Sequence, residues 1–132
     1  METAADAAPE LRLAAIHARV SELLEEHAVE ELAIEALYFG ANVRTAFAVG
    51  QARGVALLAA GQRGVPCATY TPQQVKSAVC GGGRASKEQV QRMVGAVLSL
   101  PEPPRPDHAA DALAVAVGHL HRSPLAAVLV RA

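Results

Sequence analysis

ELAIEALYF, residues 31–39, decides the fold. It is short and apolar with Ile34 at its centre, and it reads as a buried strand over 31–36 that ends near Glu35. Upstream, Leu13, Ile16, Val20 and Leu23 recur at helical spacing behind Pro9, which predicts a helix over roughly 10–27 with an acidic polar face. Downstream, the loop YFGANVR gives way to an Ala/Gly/Val/Leu-rich stretch from about Val43 to Ala60. That stretch has helix length, its small residues let another helix approach closely, and Gly61 and Gly64 end it. VPCATY, residues 65–70, reads as a second short strand, and TPQQVKSAV as a helix opened by Thr71 with Pro72 at its first position. Gly81, Gly82, Gly83 and Arg84 form a turn. Ser86 then caps a helix over KEQVQRMVGAVLSL, with Val90, Met93, Val94 and Val97 on one stripe. Pro101, Pro103, Pro104 and Pro106 stiffen the next loop, and DHAADALAVAVGHLH forms a final helix to about His121. The tail from residue 122 has no strong assignment.

Helix, strand, helix, strand and three helices argue for one α/β domain with parallel strands. Two strands alone cannot carry such a domain, so either a further strand or part of the fold is missing from this order. The composition agrees with the class. Of 132 residues, 52% are hydrophobic but only 3% aromatic, with no Trp, so Ala, Val and Leu must build the core. Disorder, a collagen-like chain and a large multidomain enzyme are excluded. Cys67 and Cys80 are too few for a disulfide scaffold and read as reduced cytosolic thiols; no apolar run is long enough to span a bilayer, and the N-terminus does not resemble a secretory signal. The expected location is the cytoplasm.

The net charge of −1 hides a division along the chain. Residues 1–35 carry −7 and the remainder +6. The later part is therefore suited to a polyanion, although charged faces are often simply solvated.

Glu35 stands at a strand end, where α/β folds place ligand sites; the bland alternative is a solvated carboxylate. His108 and Asp111, three residues apart, share one face of the last helix, which is apolar nearly all round and reads as buried. Two carboxylates and an imidazole suit Mg²⁺ or Mn²⁺ in phosphodiester hydrolysis. Asp107 and Asp111 also simply favour the positive end of a helix dipole. His119, His121 and the cysteines lack the clustered spacing of a zinc site. The triple glycine before Arg84 and Lys87 could cradle a phosphate or be a flexible surface turn; it is not a Walker motif.

AIEALYFGANVRTAFAVGQARGVALLAAGQRGVP, then YTPQQVKSAVCGGGRASKEQVQRMV, then PRPDHAADALAVAVGHLH together resemble the RuvC-type Holliday junction resolvases over roughly residues 10–124. The resemblance implies a ribonuclease H-like fold, a homodimer, divalent metal, and symmetric cutting of four-way DNA junctions alongside branch-migration proteins of the RuvA and RuvB families. It makes Glu35, His108 and Asp111 the metal-holding catalytic residues, with two Mg²⁺ ions, or Mn²⁺, in a complete site. Tyr38 takes the place of an aromatic that wedges against bases; Lys76, Arg84 and Lys87 fall on the DNA-contacting side chains. The GQARG helix resembles the family's dimer element.

Family members begin with three strands, the first bearing a GIDPG-like turn whose aspartate is the central metal ligand. These have no counterpart here. The expectation is an incomplete ribonuclease H-like domain with two parallel core strands plus helices, N-terminally truncated and impaired in hydrolysis. The alternatives are a non-catalytic junction-binding or dimerisation module and an Ala-rich α/β domain whose charges only solubilise it.

Overall fold

In a computed structural model of the chain, residues 3–36 and 43–122 are described. Tyr38 and the tail beyond Arg122 lie outside them. The elements are α1 (Pro9–Glu26), β1 (Leu32–Glu35), α2 (Val43–Gln62), β2 (Cys67–Tyr70), α3 (Pro72–Cys80), α4 (Lys87–Val97) and α5 (Asp107–Arg122). Among the described residues the sheet has two strands, β1 beside β2. Leu32 donates to the Pro66 carbonyl at 2.9 Å and Ala36 to that of Tyr70 at 2.7 Å. A four-residue advance on one strand matches four on the other, so the pair runs parallel.

Contacts divide the chain into two compact units, Met1–Leu32 with Leu37–Cys67, and Ala33–Ala36 with Ala68–Ala132. In the first, Leu24 of α1 packs with Ala59 and Ala60 of α2, and Val20, Val29, Leu32 and Val65 surround them. Arg63 donates to Glu25 at 2.7 Å and to Ser21 Oγ at 3.3 Å, tying the end of α2 to α1.

The second unit is built on valine and alanine. Val75 and Val79 of α3, Val90 and Val94 of α4, and Ala114, Val115 and Val117 of α5 form one core, against which Ala33 and Tyr70 pack. Side chains this small fill space only if backbones come close. Gly118 shows how close: a Cβ there would lie 3.4 Å from the Ala78 Cβ on α3.

Helix ends follow local chemistry. Thr71 and Ser86 each accept from the backbone N–H three residues on, while Gln74 and Gln89 reach back, giving two complete capping boxes. Gly81, at φ +78°, caps α3 in the left-handed conformation. The C-termini of α1, α2 and α4 share one pattern. Val29 donates to Leu24, Val65 to Ala60 and Leu100 to Gly95, paired with Ala28 to Glu25, Gly64 to Gly61 and Ser99 to Ala96. These are Schellman closures, which need a positive φ at the second donor. Gly64 supplies it freely, whereas Ala28 (φ 46°) and Ser99 (φ 55°) supply it against their own Cβ.

Two expectations are corrected. The helix after Ser86 stops at Val97, not at Leu100, because the Ser99 closure ends it. And α5 is not buried all round: Ala110, Ala114 and Val117 face the core, while Ala112, Ala116 and Leu120 face solvent. Alanine made both faces look alike in the sequence.

Two outcomes follow. Gly118→Val must push α5 from α3 and should cost about 1–3 kcal/mol in urea unfolding. Ala28→Gly removes a left-handed Cβ and should stabilise by about 1 kcal/mol in the same assay.

Candidate active site

A cleft of about 270 Å³ opens in the second unit, lined by Glu35, Pro72, Val75, Lys76, Lys87, Val90, Asp111, Ala114 and Val115. Its floor is the valine–alanine core. Its chemistry is a ring of two carboxylates and two ammonium groups contributed by four elements. Glu35 is placed by β1, whose last residue it is, and stays exposed at the carboxyl end of a parallel strand. Asp111 comes from the second turn of α5, Lys76 from α3 and Lys87 from the first position of α4.

Lys87 is the informative member. Its Nζ lies 3.5 Å from Asp107 Oδ2 and 3.7 Å from Asp111 Oδ2. A cation at the first position of a helix opposes the helix dipole, so local propensity does not select it. The two aspartates, four residues apart and hence on one face of α5, neutralise it. Gln91 Nε2 also approaches Asp107 Oδ1, at 3.4 Å. Half-exposed pairs of this kind contribute only about 0–1 kcal/mol. Stability therefore gives no strong reason for a lysine here.

Of the residues read from the sequence, Glu35, Asp111, Lys76 and Lys87 come together in this cleft. His108 does not line it; it borders a neighbouring hollow with Gln91, Arg105, Pro106 and Asp107. Arg84 lies away from the cleft, beside Gln89, Arg92 and Met93. Asp107 was visible in the sequence only as a helix-dipole acid. Its signal was the i, i+4 spacing to Asp111, which makes the two a clamp for one cation. His119 and His121 serve structure: the Tyr70 hydroxyl meets His119 Nδ1 at 2.6 Å, and His121 Nδ1 meets the Ala78 carbonyl at 2.8 Å.

The donor set suits a hard divalent cation in kind but is incomplete in number. Glu35 and Asp111 offer oxygen ligands in one cleft. Among the described residues, no three His, Cys, Asp or Glu side chains converge on a metal position. No described helix is long and apolar enough to cross a membrane, and Cys67 and Cys80 are both free.

A short parallel sheet with Glu35 at a strand end and helices packed against it fits the ribonuclease H-like fold. The solved structure of Thermus thermophilus RuvC in complex with Holliday junction substrate superposes with a TM-score of 0.89 at 42% identity, covering 95% of this chain and 76% of that one. The family described as crossover junction endodeoxyribonuclease RuvC matches residues 1–119. Proteins of that name from Moorella thermoacetica and Thermomicrobium roseum are 57% and 52% identical over 124 and 114 residues. These alignments cover 94% and 86% of this chain, and 74% and 70% of the relatives. The chain belongs to the RuvC family.

Replacing the clamp cation separates its roles. Lys87→Ala should change unfolding free energy by less than about 1 kcal/mol, while weakening binding to a four-way DNA junction and lowering the salt slope of that binding by about one unit, read by fluorescence anisotropy.

Proposed function

We propose that the protein resolves four-way DNA junctions by hydrolysing phosphodiester bonds in the cleft at the end of β1. The observation that carries this reading is the convergence of Glu35, Asp111, Lys76 and Lys87 on one cleft at a strand carboxyl end. Membership of the RuvC family supports it.

Lys76 and Lys87 attract and place the phosphate. In the clamp, Asp107 and Asp111 hold Lys87 without DNA, and an incoming phosphodiester offers Lys87 a competing anion. Engagement of DNA would thus release Asp111 from its ion pair. Glu35 and Asp111 would hold Mg²⁺ or Mn²⁺, which would supply water activation and charge neutralisation when bound; His108, the third donor that the resemblance implies, borders the neighbouring hollow and would have to turn towards the cleft to join them. Tyr38 is assigned to stacking on bases at the junction, and Arg84 to the DNA backbone.

A homodimer belongs to the same proposal. Helix α2 exposes Val43, Phe47 and Leu58 along one side, an apolar surface that a second copy would cover. Paired cuts on opposing strands require two such clefts. Branch-migration proteins of the RuvA and RuvB families are the proposed partners.

The test is cleavage of a synthetic four-way junction with Mg²⁺, set beside linear duplex of the same sequence. Symmetric nicks in the junction are expected. Glu35→Gln and Asp111→Asn should each lower the single-turnover rate by roughly 10³, about 4 kcal/mol, with junction binding retained. Binding without cleavage, unchanged by either substitution, would instead make the chain a junction-binding module.

A further inference from the structure

The sequence motif left unused by the cleft is the glycine turn with Arg84. It forms one wall of a second hollow of about 600 Å³, lined by Thr71, Gln73, Gln74, Ser77, Gly83, Arg84 and Arg122. Two arginines and several residues with hydrogen-bonding side chains line it, and among the described residues no Asp or Glu does. Among the described residues neither Arg84 nor Arg122 has an ion-pair partner.

Its walls are held in place. A Cβ on Gly83 would meet Ser77 Oγ at 3.4 Å, so the turn lies directly on α3. The end of α5 is fixed to α3 by His121 Nδ1 against the Ala78 carbonyl. That contact delivers Arg122, the next residue, to the hollow.

The hollow is separate from the cleavage cleft. On α3, Pro72, Val75 and Lys76 face the cleft, whereas Gln73, Gln74 and Ser77 face the hollow. At about 100° per residue these sets occupy different flanks of the helix. On α5, Asp111 and Arg122 are eleven residues apart, which places them on nearly the same side and about 16 Å apart along the axis. That is roughly five rises along a DNA strand at about 3.4 Å each.

We infer that the hollow between Arg84 and Arg122 is a phosphate-binding site for the DNA backbone, holding an arm of the substrate several nucleotides from the bond that is cut. Paired guanidiniums recognise phosphate oxygens through their forked N–H groups, and the glutamine amides and Ser77 hydroxyl add neutral donors. The inference rests on the nuclease reading. In the hollow Arg84 joins Arg122 rather than Lys87.

A dipole role for Arg122 at the C-terminus of α5 is the competing explanation, and it predicts a change in melting temperature rather than in DNA binding. The experiment measures junction affinity without divalent metal from about 50 to 200 mM salt, the melting temperature, and the single-turnover cleavage rate at saturating DNA with Mg²⁺. Arg122→Ala should weaken binding at every junction sequence and reduce the salt slope by about one unit. Arg122→Lys should restore the slope, and the saturated cleavage rate should stay at the wild-type value. Unchanged affinity and slope in Arg122→Ala would overturn the inference, as would a loss confined to the saturated rate. Should wild type show no salt-dependent junction binding, the nuclease reading itself fails, a result distinct from an inert Arg122.

Discussion

The contact between Gly118 of α5 and Ala78 of α3 is the constraint on which the second unit depends. Without large side chains, the core closes by a near approach of these two helices, with only the Ala78 Cβ between them at this point. That approach fixes α5 along its length. Asp111, about two turns before the contact, is carried to the cleft, and the last turn is carried to α3, where His121 fastens it. A small displacement at Gly118 would therefore be felt at both ends of α5.

Electrostatics and packing divide the work. Valines and alanines hold the frame; the charged groups add little to stability because they sit at half-exposed rims. Lys87 is placed where the helix dipole disfavours it, and the two aspartates of α5 offset that placement. The two aspartates also limit where the Lys87 ammonium can lie, at the rim of the cleft.

Much of the fold was legible because its signals are local. Proline at the first turn, Thr71 and Ser86 with glutamine three residues on, and apolar spacing in α1 each state an element with its end. The closures at Ala28 and Ser99 were not legible, since neither residue prefers a positive φ and tertiary packing imposes it. Helix periodicity was equally blunt for α5, where alanine occupies buried and exposed faces alike. In the site, the strand-end position of Glu35 and the helical position of Asp111 were readable. Side-chain direction was not: spacing grouped His108 with Asp111, yet in the structure His108 borders a different hollow and Asp107 shares the cation. Lys87's partners were hidden because they come from another helix.

The valine–alanine interior has a consequence for how this chain tolerates change. Truncating Val94, the largest fully buried side chain among the described residues, removes only two methyl groups, so shortening substitutions leave small voids. Enlargement is different, because helices already near their closest approach have nowhere to yield. Variation at buried positions should therefore run in one direction, towards residues of equal or lesser bulk. Sequences that share this architecture are free to drift at solvent-facing positions away from the cleft while their interiors stay confined to a narrow range of sizes.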